Sequence, residues 1–449
     1  MRLLAAAMLC QALWVYGADY GVGPGQPLLD PNQVPWESLR AGDRVLIHAR
    51  PEPYRCKLVL CCRGTAARPI RIEGVKDGQG RRPVLDGNGA TTSKQVNFWG
   101  EERAVIKIGG ANRPADTVPE HIVVSGLEVR GGRQPNFFAG RNGRSRYAKN
   151  AAAFYVEKGR NLLIEDCVIH DNGNGIITSP ATRDLTVRGC HIFDNGVEGS
   201  LYEHNVYTTG IRLTFEFNHF GPLRNGCPGN NFKDRSAGLR FRCNWVAGGN
   251  RCLDLVDADA PEIINDPLYA ETMVWGNVLL KSAPASNNQV IHFGGDSGEL
   301  KRYRRGVLYL WNNTVVSLRP GNTVLVRPSH RGCHIECRNN IVFVAPRDGR
   351  LCLLAEPAGL DIAHNWFAAG WVPLVGGGPA PAADIVSGAD PGFVDWRSGD
   401  LRLRPDSSAR GRATPLSLPG YFGADVLRWQ VHSASGSRGT FGRAEFRRV

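Results

Sequence analysis

Short stretches of alternating apolar and polar residues recur along the chain, each closed by a turn of Asp, Asn and Gly. The best-matched pair is IEDCVIHDNG at residues 164–173 and VRGCHIFDNG at residues 187–196, which lie 23 residues apart. The two copies place Cys167 and Cys190 at the same position. Alternation over a few residues is typical of a β-strand with one buried face, so the repeat predicts a short strand in every unit.

The same strand pattern recurs beyond residue 200 with Asn in place of Cys, at spacings of 25 to 36 residues. These asparagines are Asn218, Asn244, Asn277, Asn313, Asn340 and Asn365. A strand unit repeated at such spacings predicts a solenoid whose coils stack about 4.7–4.9 Å apart. Equivalent residues then form columns, so each of these asparagines is predicted to hydrogen-bond to its copies in the neighbouring coils.

Two other repeat architectures fit the pattern less well. The leucine spacing of leucine-rich repeats is missing, and a β-propeller blade needs roughly 40–50 residues, more than most of these spacings. The sequence also lacks a strong amphipathic helix, because no long stretch has apolar residues three and four apart. The predicted fold is therefore all-β, a single-stranded parallel β-helix with N- and C-terminal caps.

The first residues predict a secretory signal peptide, assigned to residues 1–17. Arg2 precedes an apolar run that is too short to span a bilayer, which needs roughly 20 residues. No other segment of the sequence is suited to cross a membrane, so we expect a secreted or periplasmic protein. Residues 18–45 are assigned to the N-terminal cap, 46–413 to the β-helix and 414–449 to a C-terminal tail. Cys167 and Cys190 are expected to be stacked, buried thiols.

The net charge of +12 limits the class of partner. A basic exported protein attracts nucleic acid, anionic lipid or an acidic glycan. Export and the lack of any nucleic-acid-binding motif argue against nucleic acid. An acidic polysaccharide is therefore the expected partner. We expect the protein to be a monomer. The alternative is a basic surface that serves only solubility.

One internal alignment indicates where chemistry could lie. The segments HNVYTTG at residues 204–210 and NNFKDRS at residues 230–236 both end 8 residues before the asparagine of their own coil. This alignment places Tyr207 opposite Lys233, about 5 Å away on the neighbouring coil. The outward-facing set predicted from strand alternation is Asn205, Tyr207, Asn231, Lys233, Asp254 and His292.

Such a strip is long, shallow and open-ended, which suits a polymer. Its members also have simpler interpretations. An outward Lys is commonly just solvated, and Asp234 and Arg235 are placed to form a local ion pair. His204 faces inward in this register, which favours a buried structural role as much as a functional one. Several different polar groups on successive coils nevertheless make the strip the best candidate site.

β-Elimination on a uronate chain requires neutralisation of the carboxylate, a base for the C5 proton and an acid for the leaving oxygen. Arginine suits the first role, while Lys, His and Tyr suit the proton transfers. Lys233 is predicted to be the base and Tyr207 the acid, or the reverse. The other predicted roles are carboxylate neutralisation by Arg235 or Arg251, orientation by Asn205 and Asn231, and substrate contact by His204, Asp234, Asp254 and His292.

The chain resembles the pectate-lyase-like right-handed parallel β-helix superfamily. Residues 41–60 (AGDRVLIHARPEPYRCKLVL) and 68–87 look like its opening coils, and residues 390–413 look like its closing segment. Residues 229–255 look like the catalytic region of β-helical chondroitinase and alginate lyases, where a Lys is followed by an Arg one coil later. Lys233 matches that Lys, and Arg251 matches the Arg approximately.

The resemblance implies a right-handed coil and a polysaccharide lyase. Those lyases also carry acidic calcium ligands just before the Lys, where this chain has CPGN at residues 227–230. No cofactor is therefore assigned, no residue is assigned as a metal ligand, and calcium use is left open.

Two further functions remain open. A glycoside hydrolase on the same fold needs two carboxylates roughly 5–9.5 Å apart. Asp254 with Asp234 or Asp257 could supply them from adjacent coils. A non-catalytic, glycan-binding β-helix is the third alternative, since a fold does not determine an activity.

Overall fold

Parallel strands stack into three columns, sheets 1, 2 and 3, to which each coil contributes in that order. The computed structural model describes residues 17–379 and 384–416, together with the backbone of strands Trp429–His432 and Glu445–Arg448. Sheets 1 and 2 are continuous where Ala152–Glu165 and Asn174–Arg188 run unbroken around their shared corner. The predicted parallel β-helix is confirmed by this topology.

Sheet 1 carries the candidate site. In stacking order its strands are Cys56–Leu60, Ala104–Ile108, the first halves of Ala152–Glu165 and Asn174–Arg188, Val206–Thr208, Phe232–Asp234, Leu253–Leu255, Gln289–Phe293, Asn322–Pro328, Arg350–Leu354 and Val372–Leu374.

Sheets 2 and 3 complete the coil. Sheet 2 contains Asp19–Val22, Arg44–His48, Ile70–Val75, Glu120–Ser125, the second halves of the two long strands, Thr214–Glu216, Leu239–Arg242, Glu271–Trp275, Gly306–Trp311, Cys333–Arg338 and Gly359–Ala363. Sheet 3 contains Val84–Asp86, Glu128–Arg130, Val168–Ile169, His191–Ile192, His219–Phe220, Trp245–Ala247, Val278–Lys281, Thr314–Ser317, Ile341–Val344, Asn365–Ala368 and Ile385–Gly388.

The remaining elements lie outside the three sheets. They are the strands Ala90–Thr92, Asn97–Phe98, Ala111–Arg113, Phe137–Gly140, Gly143–Arg146, Phe393–Asp395 and Asp400–Leu403, the α-helix Pro261–Ile264, and the 3₁₀ helices Pro31–Gln33, Glu101–Arg103 and Pro267–Ala270. Within the described ranges, no helix is long and apolar enough to span a membrane.

The stack begins before the predicted start of the β-helix at residue 46 and ends before its predicted end at residue 413. Asp19–Val22, within the segment assigned to the N-terminal cap, already pairs in parallel with Arg44–His48. The last stacked strand is Ile385–Gly388, and the strands that follow it, Phe393–Asp395 and Asp400–Leu403, form an antiparallel pair. The predicted signal peptide falls almost entirely outside the described residues, as does most of the predicted tail.

The corner between sheets 2 and 3 explains the sequence repeat. Just before the repeated Cys or Asn, one residue adopts left-handed backbone, with φ of 61° at Gly189 and 66° at Gly276. The asparagine that follows points into the coil, and its side-chain amide donates to the copy above it, at 3.2 Å from Asn244 to Asn277 and 3.0 Å from Asn277 to Asn313. The predicted amide ladder is confirmed from Asn218 to Asn365.

The ladder serves two purposes. Each side-chain oxygen also accepts from the backbone N–H of the coil below, as when the Asn277 oxygen accepts from Asn244 at 2.8 Å. Buried backbone groups at a bend therefore keep partners that the sheets do not provide. Cys167 and Cys190 hold the equivalent corner positions nearer the N-terminus, where both are buried, free thiols as predicted.

We predict that Asn277→Ala lowers the free energy of unfolding by about 1–3 kcal/mol, because it leaves buried partners on both neighbouring coils without a hydrogen bond. Denaturant unfolding measures the change. Asn322→Ala, at an exposed strand position, is the control and should change stability by less than about 0.5 kcal/mol. Equal losses in the two variants would contradict a stabilising ladder.

Candidate active site

The outer face of sheet 1 carries a column of polar side chains on successive coils, here named the site column. The strand register pairs its members directly, in the order Tyr207, Lys233, Asp254, His292 and Arg327. Their strand neighbours Val206, Phe232 and Leu253 point into the core and are fully buried. Strand alternation thus places five polar groups, spaced about 4.7–4.9 Å from coil to coil, on one surface.

Lys233 lies between two carboxylates. Its Nζ is 2.8 Å from Asp254 Oδ2 and also contacts Asp296, on the loop that follows Gln289–Phe293. Only 11% of the Lys233 side chain is exposed. Burial alone would lower the pKa of Lys233, but Asp254 and Asp296 outweigh burial and raise it above its usual value. Lys233 is therefore an ammonium at neutral pH.

Asp254 connects most of the site column. Its Oδ2 accepts from Lys233 and, at 2.8 Å, from Asn230. Its Oδ1 accepts from His292 Nδ1 at 2.8 Å and lies 3.5 Å from Arg251 Nη1. Burial would raise the pKa of Asp254, but the hydrogen bond from His292 and the charges of Lys233 and Arg251 hold it well below its usual range. Asp254 is consequently a fixed anion.

Arg235 contacts two neighbours of Lys233, Tyr207 and Asp296. Its Nε donates to the Tyr207 hydroxyl oxygen at 3.0 Å, and its Nη2 donates to Asp296 at 2.8 Å. Its Nη1 donates to the backbone carbonyl of Asp257. Burial opposes the charge, but the interactions with Tyr207 and Asp296 raise the pKa of Arg235 further above its usual value. Arg235 therefore fixes the half-buried Tyr207 beside Lys233, whose Nζ lies 5.9 Å from the centre of the tyrosine ring.

His292 is neutral and almost fully buried. Its Nδ1 faces the Asp254 carboxylate, so this nitrogen carries the proton, and its Nε2 accepts from Ser329 at 2.6 Å and Arg327 at 3.2 Å. The pKa of His292 is lowered because burial outweighs the hydrogen bond to Asp254. His292 thus holds Arg327 rather than facing solvent.

Two predicted orienting residues do not face outward. Asn205 and Asn231 are fully buried. They belong to a second amide ladder, at the corner between sheets 3 and 1, in which Asn205 Nδ2 donates to Asn231 Oδ1 at 3.1 Å and Asn231 donates to the carbonyls of Gly221 and Ala247. The prediction was wrong for these two residues because strand alternation does not extend around a corner.

Asp234 also points away from the surface. It is fully buried and pairs with Arg304, which is fully buried too, at 3.2 Å. It also accepts from Thr208 and from the backbone N–H of Ser236. The predicted substrate contact by Asp234 is therefore wrong, because its partners lie at the corner between sheets 1 and 2. The suggested local ion pair with Arg235 is replaced by one with Arg304.

His204 is buried, as its inward register predicted. It is 1% exposed, its Nδ1 accepts from the Asn230 backbone N–H at 3.1 Å, and its ring packs edge-on against Tyr207. Burial lowers its pKa to about 4, with a further contribution from Lys233. His204 supports the tyrosine ring from beneath, and direct contact with a ligand is excluded by its burial.

Arg251 lies beside the site column, one coil below Gln289. Its Nε donates to Gln289 Oε1 at 2.8 Å, and 17% of its side chain is exposed. Its contact with Asp254 is its one ion pair among the described residues. Arg251 and Arg327 therefore present guanidinium groups with few partners at the same end of the site column.

Sequence reasoning missed two members of the site. Arg327 continues the register by one coil beyond His292, and extending the alignment could have found it. Asp296 gave no signal, because it lies on a loop 63 residues from Lys233. Within the described part of the chain, no cluster of three or more His, Cys, Asp or Glu is arranged to hold a metal ion.

Comparisons with known proteins agree with the fold. Residues 85–250 match the family described as right handed beta helix region. No curated protein matches the sequence. The predicted right-handed β-helix is thus supported by the family match as well as by the strand register.

Solved structures similar to this chain include two lyases and a lacto-N-biosidase. An alginate lyase from Paenibacillus sp. str. FPU-7 is 12% identical over 79% of this chain and 94% of that chain, with a TM-score of 0.44. A GH136 lacto-N-biosidase from Eubacterium ramulus is 12% identical over 82% and 68%, with a TM-score of 0.42. The pectate lyase Pel9A is 12% identical over 88% and 90%, with a TM-score of 0.45. At these identities the likeness concerns the fold alone.

We predict that the protein loses stability as the pH falls from about 6.5 to about 4. The pKa of His204 is about 4 in the folded chain, against 6.5 for an ordinary histidine. The unfolded state therefore binds a proton in this interval that the folded state does not, and about 3 kcal/mol is lost through this residue. Urea unfolding at several pH values measures the slope.

The matched variants are His204→Gln and His334→Gln. His334 lies on sheet 2 and is partly exposed, so His334→Gln is the control for replacing a histidine away from the site column. His204→Gln should flatten the slope, since the titrating group is removed. A slope in His204→Gln equal to that of the unaltered protein would disprove the assignment.

Proposed function

We propose that this protein is a secreted or periplasmic lyase that cleaves an acidic, uronate-containing polysaccharide by β-elimination. The observation that carries the proposal is the pairing of Tyr207 with Lys233 on adjacent coils, with Arg235 between them and Arg251 and Arg327 at the far end. Two proton-transfer groups and spare guanidinium donors thus share one open surface.

The charge states favour one of the two predicted assignments. Lys233 is an ammonium, so it is suited to donate a proton to the leaving oxygen rather than to abstract one. Tyr207 is then the base. Its oxygen already accepts a hydrogen bond from Arg235 at 3.0 Å, and that positive charge stabilises negative charge on the oxygen.

The elimination balances with these two groups. Tyr207 reacts as the phenolate, whose oxygen takes the C5 proton, and the C–H electron pair forms the double bond between C4 and C5. The bond from C4 to the glycosidic oxygen breaks, and that oxygen takes its proton from Lys233 Nζ. Asp254 and Asp296 remain ionised and hold the Lys233 head group in place throughout.

Arg251 and Arg327 are the best candidates to bind the substrate carboxylate. Arg235 is already committed to Tyr207, Asp296 and Asp257, whereas Arg251 and Arg327 keep donors available. Guanidinium groups bind carboxylates through paired, charge-assisted hydrogen bonds. Arg327 lies four coils, about 19 Å, from Tyr207, so these two arginines bind carboxylates of sugars next to the reacting one. The reacting sugar carries its C5 proton and its carboxylate on the same carbon, and Arg235, beside Tyr207, is in place to neutralise that carboxylate and make the proton more acidic.

A glycoside hydrolase remains the second candidate because of Asp254 and Asp296. Both carboxylates contact the same ammonium, so their oxygens lie within roughly 5–6 Å of each other. A hydrolase needs one of the two as a protonated acid, and the pKa of each is lowered. The two partners predicted for Asp254 in a hydrolase, Asp234 and Asp257, are both fully buried.

We predict that Tyr207→Phe and Lys233→Met each lower turnover by roughly 10²–10⁴-fold, the usual contribution of a positioned acid or base. Both variants keep the bulk of the side chain and remove the proton-transfer group. The assay follows ultraviolet-absorbing unsaturated uronate ends on a panel that includes polygalacturonate, alginate and glycosaminoglycans.

The controls are Tyr309→Phe on sheet 2 and Lys158→Met, which removes an ion pair with Asp116 away from the site column. Both should retain full turnover. New reducing ends without ultraviolet-absorbing product would favour the hydrolase. Retention of polysaccharide without any product would favour a non-catalytic binder.

We also predict that Arg327→Gln raises KM by about 10- to 100-fold, because a charge-assisted hydrogen bond contributes about 1.5–3 kcal/mol. Arg338→Gln is the matched control, since Arg338 lies on sheet 2 and pairs with Glu336 at 2.6 Å. Steady-state kinetics on the best polymer of the panel separates KM from kcat. An unchanged KM in Arg327→Gln would exclude it from carboxylate binding.

A further inference from the structure

A second group of aromatic and charged side chains lies on the same face of sheet 1, nearer the N-terminus. Lys107 is paired with Tyr155, which is paired with Ile177, which is paired with Tyr207. Tyr155 therefore lies two coils from Tyr207, about 10 Å along the axis. Trp99 covers this end of the face, just after the short strand Asn97–Phe98.

Trp99 is the most exposed tryptophan in the described part of the chain, with 43% of its surface accessible. Its indole nitrogen donates to both oxygens of Glu157, at 2.9 and 3.1 Å. Glu157 in turn receives Lys107 Nζ at 2.8 Å, and the Lys107 side chain is only 1% exposed. A buried ion pair thus fixes the orientation of an exposed ring.

The setting of the ring favours a ligand over a structural role. Lys107 Nζ lies 5.0 Å from the centre of the Trp99 ring and also donates to the carbonyls of Trp99 and Gly110. The contacts that hold Trp99 are therefore polar, and 43% of its surface remains accessible to solvent. An exposed, immobilised aromatic face loses little conformational freedom when a flat apolar surface packs on it.

No charged residue of the register lies between the two groups. Ile177, the residue between Tyr155 and Tyr207 in the register, is apolar and buried. A chain bound at Tyr207 and Lys233 therefore meets no charge from this position if it extends along the helix axis toward Trp99. The C–H faces of a sugar ring match the indole, while its polar edge groups remain hydrated.

We propose that Trp99, held by Glu157 and Lys107, forms a distal subsite that stacks against a sugar ring of the same acidic polysaccharide. This inference rests on the proposed function for the identity of the polymer. It makes the bound segment longer than the reacting sugar pair, so affinity depends on a residue about two coils from the proton-transfer groups.

Binding is measured by retardation of the whole protein in native gels that contain polygalacturonate, alginate or a glycosaminoglycan. A Tyr207→Phe background prevents cleavage during the run. In that background, Trp99→Ala should weaken binding to the retarding polymer by about tenfold, the scale of one aromatic contact. Trp396→Ala is the control and should bind normally, because Trp396 packs on Phe343 of sheet 3.

The outcomes separate the subsite from the catalytic proposal. If retardation depends on Trp99 and the unaltered protein forms no elimination product, the result supports the subsite and contradicts the proposed lyase activity. Elimination product together with normal retardation of the Trp99→Ala variant overturns the subsite and leaves the lyase standing. Absence of retardation by every polymer overturns the subsite. Because Trp99 is exposed, Trp99→Ala should unfold at the same temperature as the unaltered protein. Glu157→Ala is a second test, because it removes the hydrogen bonds that orient the Trp99 ring and should also weaken retardation.

Discussion

Register between coils is the constraint on which the rest of this structure depends. Hydrogen bonds between parallel strands fix each coil to the next, and the amide ladder from Asn218 to Asn365 fixes the corner where the chain turns from sheet 2 to sheet 3. A slip of one residue in a strand would exchange its inward and outward side chains. The ladder opposes such slips, because each asparagine must meet its copy at about 3 Å. The position of a residue within its coil therefore determines its position on the surface.

Electrostatic compensation makes the site column stable. Lys233, Arg235 and Arg251 are largely shielded from water, and each would be costly to bury alone. Asp254 and Asp296 offset this cost by contacting all three cations. The negative charges are themselves held by their partners, since the pKa of each is lowered. The site is thus a network in which cations and anions keep one another ionised, and its proton-transfer groups are positioned before any ligand arrives.

The sequence was sufficient to predict the fold and the column of side chains that forms the site. It could not predict how deeply each of those side chains is buried. Alternation along single strands placed Tyr207, Lys233, Asp254 and His292 in one register, because a strand has only two faces. The same rule misplaced Asn205 and Asn231, which lie at a corner where the period of two is lost, whereas buried Asp234 obeys it, since it follows inward Phe232 by two residues. Asp296 reaches Lys233 from a loop, and loop conformation does not follow from periodicity.

The distribution of charge along the column implies a direction for the bound polymer. The arginines with available donors, Arg251 and Arg327, lie toward the C-terminal coils, whereas Tyr207 and the exposed ring of Trp99 lie toward the N-terminal coils. A substrate carboxylate is repelled by Asp254 and Asp296 in the middle of the column, so it is most stable at the arginine end. The C5 proton of the reacting sugar must meanwhile face Tyr207, so the carboxylates bound at the arginine end belong to other sugars of the same polymer. A sugar chain that satisfies both requirements lies along the helix axis, with further residues extending over Trp99. Stacked coils thus supply both the chemistry and the orientation of a long ligand, which a pocket enclosed by loops would not provide.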